Sequence, residues 1–133
     1  MLRPKALDHV GLKVTDMEKS LHFYQTLGLE LLRTSDPKAD GERSAVLKVG
    51  DQEMNVFYHL DFVLAGKETP AAIDHFCFSM EAAPVEQLIG DLRHAGIDIV
   101  KGPVERRNGT SVFVYDPDGV HVERRVESAR AAE

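Results

Sequence analysis

Apolar and polar residues alternate through "ALDHVGLKV" at 6–14, which predicts a strand with Val10, Leu12 and Val14 on one face and His9, Gly11 and Lys13 on the other. The period then lengthens. In "TDMEKSLHFYQTLG" Leu21, Tyr24 and Leu27 recur at helical spacing, and Phe23 widens the apolar stripe. Thr15 or Asp16 can cap the helix start, Glu18 suits its first turn, and Gly28 is a natural stop. "LELLRT" reads as a second strand and "SDPKADGE" as a polar loop. "RSAVLKV" and "EMNVFYHL" read as two strands joined at Gly50-Asp51.

After a connector, "DFVLAGKETPA", the same order returns. "AIDHFCFSM" predicts a strand and "APVEQLIGDLRHAG" a helix, with Pro84 near its start and Gly96 as its stop. "IDIV" predicts a strand, and "NGTSVFVYD" and "VHVERRV" predict two more, joined by the turn sequence "DPDG". "ESARAAE" is expected to be a frayed tail or short helix. The chain thus reads as strand-helix-strand-strand-strand twice, an α+β fold of two βαβββ modules. Module one spans 5–60, the connector 61–71 and module two 72–127, within a single domain over 1–133. "LDHVGL" and "IDHFCF" place His9 and His75 66 residues apart, while Gly28 and Gly96 lie 68 apart. Carrying the second offset to the last hairpins sets Asn55 opposite Glu123.

The alternation also sorts the polar residues. His75, Cys77 and Ser79 oppose Phe76, Phe78 and Met80, and His121 and Glu123 oppose Val120 and Val122. In both halves the uniformly apolar face suits packing under a helix, which leaves His9, His75 and Glu123 on the other. They could be ordinary exposed polar residues. If the halves curl into one trough, two imidazoles and a carboxylate converge. That set suits a divalent ion such as Fe, Mn, Zn or Ni and leaves coordination positions for water or substrate.

A chain of 133 residues with 43% apolar and 29% charged residues suits one globular domain. A net charge of −6 argues against nucleic acid as a partner. No apolar run approaches a membrane span, and the first residues lack a signal-like core, so a cytoplasmic location and no membrane association are expected. Cys77 is the lone cysteine, which leaves no internal disulfide and no thiolate cluster, so any metal would take nitrogen and oxygen ligands.

The chain resembles the vicinal oxygen chelate superfamily, the glyoxalase, bleomycin-resistance and extradiol-dioxygenase group. The likeness runs from "LDHVGLKVTDMEKSLHFYQTLGLELL" to "VYDPDGVHVERRV". It is most specific in the two "DH" openings, in "FYQTLGLEL", and in "DPDG" followed by Glu123. It implies a curved mixed sheet around a metal-holding cavity, a small-molecule substrate and a homodimer. It also implies His9, His75 and Glu123 as metal ligands. A fourth family position falls on Asn55, where glyoxalase I-like members carry a glutamate; Glu53 would reach that place only by a two-residue slip. Phe57 and Lys13 share these faces as candidates to line the pocket or contact substrate. The remaining trio matches the facial triad of non-haem Fe(II) oxygenases and implies dioxygenase-like chemistry. Glyoxalase-type lyase or isomerase chemistry is the alternative, and a metal-free drug-binding protein of the bleomycin-resistance kind is another. Extradiol cleavage calls on a further histidine and tyrosine. The candidates are His121, His59, Tyr58 and Tyr115, of which His121 shares the Glu123 face and Tyr58 falls on the core face.

The bland readings cover the rest. His22 and His94 are expected on helix surfaces, Cys77 as a buried inert thiol, and Arg106, Arg107, Arg124 and Arg125 on a solvated, salt-bridged edge.

Overall fold

The computed structural model describes residues 1–3, 6–60, 75–106 and 108–127. The expected connector at 61–71, Ile73 and Asp74 of the second Asp-His phrase, Arg107 and the tail beyond Glu127 lie outside the described residues.

The chain divides into two compact units, Met1–Pro70 and Ala71–Glu133. The first holds β1 (His9–Val14), α1 (Met17–Thr26), β2 (Glu30–Thr34), β3 (Arg43–Val49) and β4 (Gln52–Tyr58). The second holds β5 (His75–Met80), α2 (Val85–His94), β6 (Lys101–Arg106), β7 (Gly109–Tyr115) and β8 (His121–Val126). Each unit builds one four-stranded mixed sheet, in the orders β1-β4-β3-β2 and β5-β8-β7-β6. The first and last strands of each unit pair in parallel, while the hairpin partners run antiparallel. The fold is therefore α+β, built of two βαβββ modules, as the alternation predicts.

One side of each sheet is the core. In the first unit Leu12, Val14, Ala45, Leu47, Met54 and Val56 are buried, and Met17, Leu21 and Tyr24 of α1 are buried with them. In the second, Phe78, Val112, Val114, Val122 and Val126 fill the same role beside Leu88 and Leu92 of α2. Leu47 is fully buried, which is worth about 2 kcal/mol relative to an exposed side chain.

Both helices stop by the same device. Gly28 and Gly96 have φ of +103° and +74°, a region closed to most L side chains. The Gly28 amide donates to the Gln25 carbonyl and the Leu29 amide to that of Tyr24. Gly96 donates to Arg93 and Ile97 to Leu92 in the same pattern, a Schellman motif at each end. The helix starts differ. Asp16 caps α1 by accepting from the Lys19 amide at 3.0 Å, whereas Pro84 precedes α2 with no side-chain cap bond.

Two sequence expectations fail here. "IDIV" at 97–100 is not a strand; β6 begins at Lys101. Ile97 is consumed in the helix stop, and Pro103 disguises the true strand because it cannot donate to a ladder. Arg124 is not on a solvated edge either. It is 6% exposed on the α2 side of the sheet, between Val122 and Val126. Burial lowers its pKa, and the charge of Asp91 on α2 partly restores it.

Candidate functional site

The parallel ladder β5–β8 sets His75 opposite His121 and Cys77 opposite Glu123. The antiparallel ladder β7–β8 sets Tyr115 opposite His121, Phe113 opposite Glu123 and Ser111 opposite Arg125. Paired residues point to one side, so these side chains share the face turned away from α2. The hairpin that fixes this register is the "DPDG" turn. Asp116 is buried, and its Oδ1 accepts from the amides of Asp118 at 2.9 Å and Val120 at 2.8 Å. Gly119 completes the turn at φ +83°.

On this face His75 and Glu123 meet. The Nε2 atom of His75 lies 3.3 Å from Glu123 Oε1. The imidazole is 40% exposed, while the carboxylate is 8% exposed. Ser111 donates its hydroxyl to Glu123 Oε2 at 2.6 Å, and Arg106 Nε stands 3.8 Å from the same oxygen. Ser111 has no exposed surface, and no pattern in the sequence marked it.

An aromatic row runs beside the pair. The ring of Tyr115 stacks on His121 at 4.8 Å, His121 tilts against Phe113 at 5.3 Å, and Phe113 meets His75 edge-on at 6.0 Å. His121 is half-buried on an interior strand rather than on a sheet edge, and Tyr115, which alternation could not place, is 51% exposed on the same face. Lys101 Nζ and the Arg106 guanidinium both lie over the Phe113 ring, at 5.1 and 5.7 Å. Five residues apart on a regular strand, those two cations would point oppositely. An irregularity between Lys101 and Val104 adds a residue and returns both to one face. Gly102 permits it with a φ of +103°, where a Cβ would stand 2.7 Å from the Ser111 carbonyl oxygen.

Cys77 is exposed, against the expectation of a buried thiol. Local desolvation, followed by the charge of Glu123, nonetheless pushes its pKa up, so the thiol resists ionisation.

The first unit repeats the register. His9 stands opposite Glu53 and Gly11 opposite Asn55, as His75 stands opposite His121 and Cys77 opposite Glu123. Asn55 is therefore the structural counterpart of Glu123, and Glu53 that of His121. Glu53 lies 3.7 Å from Arg33. The Asn55 Oδ1 atom is buried with no hydrogen-bond partner among the described residues. His9 Nδ1 pairs with Asp8 Oδ2 at 2.8 Å, which leaves Nε2 as the ring nitrogen that Asp8 does not engage. Lys13 is exposed beside Phe57, and a Cβ at Gly11 would touch the Phe57 ring at 3.4 Å. Of the other candidates, His59 stacks on Phe57 at 6.4 Å and reaches Glu42 at 3.9 Å. His22 and His94 are exposed on their helices, as expected.

The donor chemistry suits a small divalent cation. An imidazole nitrogen and a carboxylate oxygen 3.3 Å apart match two donors that share an ion at bond lengths of about 2.1 Å. The pair is two donors only: among the described residues no three His, Cys, Asp or Glu are grouped as a metal cluster. A groove of about 460 Å³ lies elsewhere, lined by Ala82, Pro84, Val85, Thr110 and Val126, with none of the expected ligands. No helix among the described residues is long and apolar enough to cross a membrane.

Comparison with known proteins places this architecture. Residues 6–123 match the model of the Glyoxalase/Bleomycin resistance protein/Dioxygenase superfamily. The chain is 32% identical to the virulence protein STM3117 of Salmonella typhimurium, over 88% of this chain and 81% of that one. It is 28% identical to a probable lactoylglutathione lyase of Vibrio parahaemolyticus, covering 86% of each. The fold superposes on the fosfomycin resistance protein FosX of Listeria monocytogenes with a TM-score of 0.72. Identity is 17%, over 97% of this chain and 95% of that one; FosX was solved with Mn(II) and 1S,2S-dihydroxypropylphosphonic acid. The chain belongs to the glyoxalase, bleomycin-resistance and dioxygenase superfamily, the vicinal oxygen chelate group.

Proposed function

We propose that the chain is a metal-dependent enzyme acting on a small molecule that chelates through two adjacent oxygens, with His9, His75 and Glu123 as the ligands of a divalent cation. The observation that carries this reading is the His75–Glu123 pair, 3.3 Å apart and with the imidazole open to solvent. A cation held there would act as a Lewis acid and as a template for substrate oxygens. The protein's own contribution is to hold its donors ready. Asp8 keeps the proton of His9 on Nδ1, and Ser111 and Arg106 engage the far oxygen of Glu123. His121 and Tyr115 stand stacked beside the pair, with the tyrosine exposed enough to meet a substrate. His121 is the candidate to accept or return a proton. Phe57, Lys13 and Asn55 are proposed to contact the substrate.

We favour dioxygenase-like chemistry because of Asn55. The counterpart position carries an amide, which cannot serve as the carboxylate base that a glyoxalase I-type isomerisation calls on. The lyase reading draws on the relatives named lactoylglutathione lyase and is the second possibility. A homodimer and a cytoplasmic location complete the proposal.

The test is metal analysis of protein purified without chelator. Near-stoichiometric Fe, Mn, Zn or Ni, lost in His75→Ala and in His9→Ala, supports the reading. No binding under any loading condition overturns it in favour of a metal-free drug-binding module. Oxygen uptake by the Fe(II)-loaded protein with a panel of vicinal diols, against turnover of a glutathione hemithioacetal without oxygen, separates the two chemistries.

A further inference from the structure

We propose that Ser111 is a positioning residue for Glu123: its hydroxyl occupies Oε2 and leaves Oε1 as the carboxylate oxygen presented beside His75. This rests on the reading of Glu123 as a metal ligand. Three neighbours of Glu123 divide between its two oxygens, while Cys77 faces it across the β5–β8 ladder. Ser111 Oγ at 2.6 Å and Arg106 Nε at 3.8 Å approach Oε2, while His75 Nε2 at 3.3 Å approaches Oε1. The Ser111 contact is the shortest of the three, and a hydroxyl donating to a carboxylate at that distance is of the strong, charge-assisted kind.

Strand register explains why residue 111 can do this. Ser111 is the diagonal neighbour of Glu123 on the same face, one pair along from Phe113. On its other side it faces Val104, which offers no polar group to compete for the hydroxyl. Ser111 is fully buried, so its hydroxyl is turned to a partner within the protein rather than to solvent. With alanine in its place, Oε2 loses this short bond, and Arg106 stands beyond hydrogen-bond reach on a side chain 40% exposed. The carboxylate is then free to rotate and to turn either oxygen toward the imidazole.

The experiment is a titration of the chelator-stripped protein with Mn²⁺, followed by calorimetry and by the electron paramagnetic resonance of free Mn²⁺. Melting curves of the metal-free proteins run alongside. Ser111→Ala is expected to weaken Mn²⁺ binding by about 10–100-fold, the usual effect of removing a partner of a ligand. Ser111→Thr, which keeps the hydroxyl, is expected to stay close to the parent. A purely structural serine would lower the melting temperature of Ser111→Ala but leave the Mn²⁺ affinity of the folded protein unchanged. That result, or a threonine variant as weak as the alanine one, overturns this proposal and leaves the metal reading standing. A parent protein that binds none of Mn²⁺, Fe²⁺, Zn²⁺ or Ni²⁺ overturns both. Should Ser111→Ala not fold, Ser111→Cys takes its place, since a thiol donates weakly and predicts an intermediate affinity.

Discussion

Cys77 and Glu123 face each other across the parallel β5–β8 ladder, one an exposed thiol and the other a buried carboxylate. Local desolvation and then the neighbouring negative charge hold the thiol protonated above its ordinary range. At pH 8, iodoacetamide is therefore expected to modify Cys77 more slowly than free cysteine, and Glu123→Gln is expected to speed it by removing the neighbouring negative charge. The sign for stability follows. The folded thiol keeps its proton longer than the unfolded one, so stability is full below the unfolded pKa and falls as pH rises through the folded one. A Glu123→Gln rate no higher than the parent's would contradict this account.

Asp116 holds the turn that aligns β7 with β8. Its carboxylate accepts two amides, and Asp116→Ala would remove both bonds from a turn whose donors, Asp118 and Val120, are half-buried. The expected loss is about 2–3 kcal/mol, read as a lower midpoint in urea with an unchanged slope.

Glycines at positive φ differ in what surrounds them. At Gly119 a Cβ meets nothing within 4 Å, so Gly119→Ala is expected to cost only the backbone term, about 1 kcal/mol. At Gly102 the same atom would crowd the Ser111 carbonyl as well, and about 3 kcal/mol is expected. Thermal melts of the two variants should separate by several degrees. Equal melting temperatures would mean that the strand irregularity does not depend on glycine.

If the proposed ligand set is correct, metal binding and stability are linked. Mn²⁺ at 100 times its dissociation constant would stabilise the protein by about 2.7 kcal/mol, and excess chelator would remove that increment. His75→Ala should melt at one temperature with or without Mn²⁺. A parent melting temperature indifferent to both additions would count against the ligand set.

Much of this was legible from residue order alone because the repeat is written in side-chain period. The faces of β1, β5 and β8 follow from alternation, and the helix stops follow from Gly28 and Gly96. What escaped depends on backbone irregularity or on three-dimensional neighbours. The strand β6 hid behind Gly102 and Pro103, and with it the shared face of Lys101 and Arg106. Arg124 read as surface because a charged residue beside other charges looks solvated, yet strand parity turns it under α2. Ser111 gave no signal at all: a serine between Thr110 and Val112 acquires meaning only when β8 lies alongside.

The unequal helix starts have a consequence for motion. Both helices are latched at their C-terminal ends, but only α1 has a side chain to hold its first turn. Fraying should therefore begin at the Pro84 end of α2, where amide hydrogens would trade with deuterium ahead of those after Asp16. The module that carries Ser111 and Glu123 is the one whose helix loosens first.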